Sequence, residues 1–364
     1  MHAIRIREAP GTADSARYNC AVNQQNPPAG PTLADAPAAA AGEPHEPAGE
    51  PFYADRAALK RNFSRAAATF AQGDALHREI ASRMLERLGY IKIDPARVLD
   101  LGSATGSALP GLQTQYPKAQ LIALDIARPM LAAAAGALAG AKPASAPWHA
   151  RLAAALGRKA ALPAVQADMA QLPFKSNALD LIWSNLALHW LDDPAPAIRE
   201  AQRALAVNGL FMFSTLGPDT LMELREAFAA AGLTPAQKSA WHVKRFIDLH
   251  DIGDVLVGAG FTTPVMDMEK ITLTYETLDG LFADLRASGS VNAMAGRGRG
   301  LLGRETLARA RTAYEAWRGK RGDARLPATF EVIYGHAWKG QPRRTAGGDA
   351  VINFVPSGEF RARR

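Results

Sequence analysis

The chain of 364 residues contains a single cysteine, Cys20. No internal disulfide can form, as expected for a protein of a reducing compartment, and a cytoplasmic location follows from that reading. No run of about 18 apolar residues occurs, so no membrane-spanning helix and no membrane partner are expected. The N-terminus lacks a signal-peptide apolar core ahead of its Pro/Gly-rich stretch. The pattern G-x-x-x-x-G-K-[ST] is missing, which argues against a triphosphate-binding loop. Clustered His/Cys spacings are missing too, so no metal is expected. No internal repeat is found. What is present is 48% hydrophobic residues, enough for a sizeable core, and a formal charge of +7, which suits an acidic partner.

Residues 1–50 are rich in Ala, Pro and Gly, with few large apolar side chains. Burial there could not offset the entropy of ordering, so a disordered tail is expected. Residues 340–364, arginine-rich with one short apolar patch at Val351 to Val355, read as a second, basic disordered tail. Between them, over 51–339, helical and strand patterns alternate. A helical segment covers 54–90. Short apolar runs at "RVLDLG", "AQLIALDIA", "LPAVQADM", "ALDLIWSNL" and "GLFMFSTL" read as strands, with helices between most of them. Two further strands, "TPVMDMEKITLTYE" and "ATFEVIYGHAWK", enclose an insertion over 277–325 holding two helices. Another insertion covers 140–162. The order predicts an α/β fold: seven strands in a mostly parallel sheet, helices on both faces, and a helical insertion before the last strand.

The chemistry centres on "DLGSATG", a strand leading through a glycine turn into a helix. Such a turn presents backbone N–H groups at a helix N-terminus and favours acceptor or anionic ligands. Gly102 permits the tight turn and Gly106 allows close packing of the helix. Ala104 stands at the middle position, tolerable if its φ stays negative. Asp125 closes the next strand 23 residues after Gly102. A carboxylate at that distance suits a ribose hydroxyl, or else caps the helix that begins at Arg128. A pyrophosphate pressed onto the backbone needs the middle glycine, whereas a phosphate-free nucleoside such as S-adenosylmethionine needs it less.

"VLDLGSATGSALPGL" resembles the first motif of class I S-adenosylmethionine-dependent methyltransferases, a Rossmann-like family. "ALDIA" resembles their ribose-binding strand end, "QADMAQLPF" the adenine-contacting segment, "LDLIWSNLALHWLDDP" the motif lining the methyl-donor site, and "RALAVNGLFMFST" the fifth strand. The resemblance implies that S-adenosylmethionine is held by Asp100, Gly102, Ser103, Ala104, Gly106, Asp125, Ile126, Asp168, Met169, Asn185 and Leu186. "RNFSRAAATF", "SNLALHW", "GPDTLMELREAF", "HVKRFIDLHDIGDVLVGAGFTTPVMDMEKITLTY", "DLRASGSVNA" and "LPATFEVIYGHAW" narrow it to the malonyl-acyl-carrier-protein O-methyltransferases of biotin synthesis. The departures are Ser103-Ala104 where many members have Cys-Gly, the 140–162 insertion, and both tails. Mitochondrial complex I assembly factors share "TLMELR" and "DIGDVL…AGF". Another acceptor, such as a protein side chain, or a non-catalytic assembly role therefore stays open.

That resemblance implies a malonyl thioester as substrate, carried on acyl carrier protein or CoA, whose free carboxylate is methylated. A carboxylate is already ionised at pH 7 and needs no general base, so no catalytic triad is expected. A bidentate arginine suits the carboxylate, with Arg225, Arg245 and Arg286 as candidates. His189, beside Trp190, is placed to line the acceptor pocket or simply to pack. "RNFSRAAATF" reads as a lid over the cofactor with Phe70 and Arg65 facing it, Phe70 being also a candidate for the substrate side, or as an ordinary amphipathic helix. Residues 297–325 carry nine Lys/Arg and three Asp/Glu. Arg304, Arg311 and Arg318 edge the apolar stripe of Leu307, Ala310, Tyr314 and Trp317, which suits an acidic acyl carrier protein. A solvated face, with Arg311 paired to Glu315, is the plainer reading. Nucleic acid is not expected, because no base-stacking aromatics are interleaved with the cations.

Overall fold

The computed structural model describes residues 5–8, 54–140, 162–232, 243–244, 246–295, 297, 302–320 and 324–341. Residues 141–161 of the expected insertion, all of the expected N-terminal tail but residues 5–8, all but the first two residues of the C-terminal tail, and Arg245 lie outside the described residues.

The strands are β1 (Arg5–Glu8), β2 (Arg97–Leu101), β3 (Gln120–Asp125), β4 (Ala164–Gln166), β5 (Leu179–Ser184), β6 (Leu205–Leu216), β7 (Phe261–Tyr275) and β8 (Leu326–Lys339). They form one sheet in the order β1-β7-β8-β6-β5-β2-β3-β4. β2 through β6 pair in parallel, and β8 runs antiparallel between β6 and β7. The seven anticipated strands are all present. An eighth, β1, pairs antiparallel with β7, with Arg5 opposite Thr274 and Glu8 opposite Ile271. Four residues of the expected disordered tail are thus a strand, because backbone pairing along an open edge needs no large side chains.

The helices are α1 (Arg56–Ala66), α2 (Ala75–Gly89), α3 (Leu109–Gln115), α4 (Arg128–Gly140), α5 (Ala195–Ala204), α6 (Met222–Ala230), α7 (Leu249–Gly258), α8 (Leu278–Ala287) and α9 (Arg304–Glu315). Several starts are set by capping side chains. Asp55 accepts the Ala58 N–H ahead of α1, Asp248 the His250 N–H ahead of α7, and Thr277 the Gly280 N–H ahead of α8.

Strand alternation divides the core between the two faces. Val98, Leu121, Leu181, Trp183 and Met212 pack with Ile80 and Met84 of α2 and with Leu109 of α3. Their neighbours Leu99, Ile122, Leu124, Ile182 and Phe211 point the other way, onto Ile198 of α5 and Ile252 and Leu256 of α7. Each central strand is buried on both faces, which is why it reads as a continuous apolar run.

From β2 the chain steps outward to β3 and β4 on one side, then returns to β5 and β6 on the other. The crevice at the carboxyl ends of β2 and β5 is therefore the topological switch point, where open α/β sheets hold ligands.

Candidate active site

The turn after β2 is bent hard against β3. The N–H groups of Gly102 and Ser103 both donate to the Leu124 carbonyl, at 2.8 and 3.0 Å. Gly102 has φ of 76°, and a Cβ there would overlap that of Ala187. Gly106 has φ of 75°, and a Cβ would sit 2.7 Å from Leu109 Cδ1 and 2.9 Å from Ala134 Cα. Both positions require glycine. Ala104 has φ of 45°, which corrects the expectation of a negative angle. Its N–H donates to Asp125 Oδ2 at 3.0 Å, and that bond holds an L-residue where glycine fits at lower cost.

Asp125 is buried, and its Oδ1 accepts the Ala127 N–H at 2.8 Å. The carboxylate therefore shapes the entry to α4 as well as the loop, and each oxygen keeps a further acceptor site. Burial pushes its pKa up, and its backbone N–H partners oppose that rise. Asp100, 3% exposed, is pushed up to about 7, first by burial and then by the charge of Asp125. Asp168 follows β4. Its Oδ1 accepts the Ala170 N–H at 2.9 Å and its Oδ2 is ion-paired with Arg56 of α1. Asn185 follows β5, where its Nδ2 donates to the His77 carbonyl and its Oδ1 accepts from the Ser214 hydroxyl, both at 2.9 Å.

Asp125, Ile126, Asp168 and Met169 line a cleft enclosing about 710 Å³, part of it open to solvent. Gly102, Ala104, Asn185 and Leu186 line it as well. Asp100 and Ser103 face a small recess that shares Gly102, Ala104 and Asn185 with the cleft. Gly106 lines neither and acts through helix packing. Among the described residues lining the cleft, Arg56 is the one cation, already engaged by Asp168. Sequence reasoning missed Arg56, since nothing local marks an arginine at the start of α1 for a partner more than a hundred residues away.

A second cleft, enclosing about 1090 Å³, shares Leu59, His77, Leu186 and Trp190 with the first. α1 forms a wall of both through Leu59. His189 lines the larger cleft. Burial, followed by the charge of Lys244, holds its imidazole well below the usual range. His77 is likewise lowered by burial, to about 4.

The other acceptor-side candidates fall differently. Phe70 is buried against the first cleft and its recess, not the second. Arg65 is exposed and lines neither cleft. Arg225 bends back to donate to the Thr220 carbonyl at 3.0 Å and the Pro218 carbonyl at 2.6 Å. Leu221, with φ of 54°, turns the chain just before α6, and Arg225 answers carbonyls on the far side of that turn. Arg286 is exposed at the C-terminal end of α8. Neither arginine lines the larger cleft, where the cation among the described residues is Lys244. The stripe on α9 is largely neutralised. Arg311 makes two 2.6 Å bonds to Asp279 rather than pairing with Glu315, and Arg318 takes Glu315 instead.

Among the described residues no cluster of His, Cys, Asp and Glu is suited to a metal, and no helix is long and apolar enough to cross a membrane.

The family profile described as "Methyltransferase domain" matches residues 99–213, the span from β2 to β6. The malonyl-[acyl-carrier protein] O-methyltransferase of Laribacter hongkongensis is 47% identical over 310 residues, covering 84% of this chain and 98% of that protein. The protein of the same name from Gallionella capsiferriformans is 48% identical over 301 residues, covering 83% and 97%. The alternating strands and helices, the loop at the switch point and this near full-length similarity agree: the chain belongs to the malonyl-[acyl-carrier protein] O-methyltransferase family and has its Rossmann-like methyltransferase fold.

Proposed function

We propose that this protein transfers a methyl group from S-adenosylmethionine to the free carboxylate of a malonyl thioester on an acyl carrier protein, early in biotin synthesis. The observation that carries this reading is the similarity over nearly the whole length of two relatives bearing that name.

The donors and acceptors of the smaller cleft fit the cofactor. The Ser103 hydroxyl is buried without a partner among the described residues. Asp125 has acceptor capacity left after its two backbone bonds. Among the described residues lining this cleft the one cation, Arg56, is ion-paired with Asp168. Asp125 would hold the ribose hydroxyls and Asp168 the adenine amino group. Asp100, Gly102, Ser103, Ala104 and Asn185 would receive the amino-acid end, with Ile126, Met169 and Leu186 as apolar walls and Gly106 setting the helix. When bound, S-adenosylmethionine supplies an electrophilic sulfonium methyl group.

The chain's own task is positioning and drying. A malonyl carboxylate is ionised at neutral pH and needs no base. Among the described residues common to both clefts, His77 is the one ionisable side chain, and burial lowers its pKa to about 4. Leu59, Leu186 and Trp190, common to both clefts, exclude water where the two ligands meet. The experiment is growth of a deletion strain without biotin. Failure to grow, restored by biotin or by this gene, is expected. Unimpaired growth with no second copy of the gene rejects the assignment.

A further inference from the structure

The larger cleft is mainly apolar, walled by Leu76, Leu216, Leu224, Phe246 and Phe330. A substrate carboxylate entering it needs a compensating charge, because an unpaired anion there is strongly disfavoured. Among the described residues lining this cleft, the ionisable side chains are His77, His189, Lys244, Tyr275 and Asp284. Burial lowers the pKa of both histidines, which disfavours their charged forms, and Tyr275 is hydrogen-bonded to Asp284. Among the described residues lining this cleft, Lys244 is the one that brings positive charge; burial lowers its pKa, and the neighbouring Asp192 carboxylate opposes that fall.

We infer that Lys244 Nζ receives the free carboxylate of the acceptor, and so distinguishes a dicarboxylic from a monocarboxylic acyl thioester. This inference rests on the function proposed above. Lys244 lies between β6 and β7, and its side chain is 16% exposed. Its Nζ donates to the Leu191 carbonyl at 2.8 Å and lies 3.4 Å from Asp192 Oδ1. An ammonium has three N–H donors, so these contacts aim the group and leave one for a ligand. Asp192 Oδ2 accepts the Ala54 N–H at 2.7 Å, at the start of the α1 segment. Asp192 therefore links Lys244 to the residue that precedes the cap of α1, and holds the ammonium on the larger cleft. Lysine, a compact charge on a flexible stem, suits a carboxylate that must keep one oxygen free as nucleophile. A bidentate arginine would occupy both oxygens.

The test compares binding of malonyl-loaded and acetyl-loaded acyl carrier protein to enzyme saturated with S-adenosylhomocysteine, by calorimetry. The two ligands differ only in the carboxylate. Wild type is expected to favour the malonyl form by about tenfold or more. Lys244→Met is expected to abolish that preference while leaving acetyl-form and S-adenosylhomocysteine affinities unchanged, and Lys244→Arg to retain most of it. A preference that survives Lys244→Met overturns the assignment of Lys244 alone. Equal loss for both carrier forms also overturns it, since it marks a purely structural lysine. A wild type without preference overturns the proposed function and the inference with it. Should Lys244→Met fold poorly, Lys244→Gln, which keeps a donor toward Leu191, decides by the same criterion.

Discussion

Gly102→Ala probes the contact on which the nucleoside cleft depends. The substitution places an L-residue at φ of 76° and drives a methyl into Ala187 on the segment after β5. The left-handed conformation costs about 1–2 kcal/mol. The overlap adds about 1–3 kcal/mol, because neither backbone can retreat from a packed strand end. Stiffening of the unfolded chain returns about 0.4–1 kcal/mol. The expected net loss is about 1–4.6 kcal/mol in urea unfolding, with S-adenosylhomocysteine binding lost or greatly weakened. Gly232→Ala is the control. Its φ is 85°, but a Cβ there meets no atom within 4 Å. It should cost only about 1 kcal/mol and spare binding. The double variant Gly102→Ala/Ala187→Gly removes the overlap and keeps the strained angle. The cycle should show about 1–3 kcal/mol of favourable coupling. Coupling near zero, or Gly102→Ala no worse than Gly232→Ala, would refute the account of this turn.

Other predictions follow from the same geometry. Asp100 has a folded pKa near 7, above its unfolded value near 4, so the folded state holds the proton more tightly. Its contribution to stability is present at low pH and is lost as pH rises from about 4 to about 7. Asp100→Asn should flatten the pH dependence of urea midpoints in that window, and an unchanged slope would contradict the raised pKa. Arg56→Ala removes an ion pair whose partners are both partly exposed, so it should cost less than about 1 kcal/mol. A larger loss would mean that the pair, rather than the packing of Ala58, Leu59 and Ala66, holds α1 in place. Asp125→Asn keeps the side-chain volume but removes charge and acceptor capacity. It should weaken S-adenosylhomocysteine binding about tenfold or more, and undiminished affinity in calorimetry would reduce Asp125 to a turn former.

The strands, their order along the chain and the placement of the first glycine turn were legible because each rests on local pattern. Apolar runs bounded by turns mark strands buried on both faces, and Asp125 at a strand end is recognisable from its spacing to Gly102. The left-handed angle of Ala104 was not legible, since it follows from a hydrogen bond to Asp125 across the loop. Arg225 and Arg286, two of the three arginine candidates, lie off the larger cleft for a related reason. Composition offers guanidinium groups, but only the left-handed turn at Leu221 directs Arg225 back toward the Pro218 and Thr220 carbonyls. Arg56 and Lys244 were overlooked because their significance lies in partners distant in sequence, Asp168 and Asp192. The strand at Arg5–Glu8 carries no periodic signal long enough to separate it from the Ala/Pro-rich segment after it.

The most direct test of the central claim is intact-protein mass spectrometry of acyl carrier protein incubated with this enzyme and S-adenosylmethionine. The account predicts that malonyl-loaded carrier gains the mass of one methyl group, as an ester that mild alkali removes, while acetyl-loaded carrier gains none. No gain on the malonyl form by enzyme that binds the cofactor, or equal gain on both forms, would contradict it.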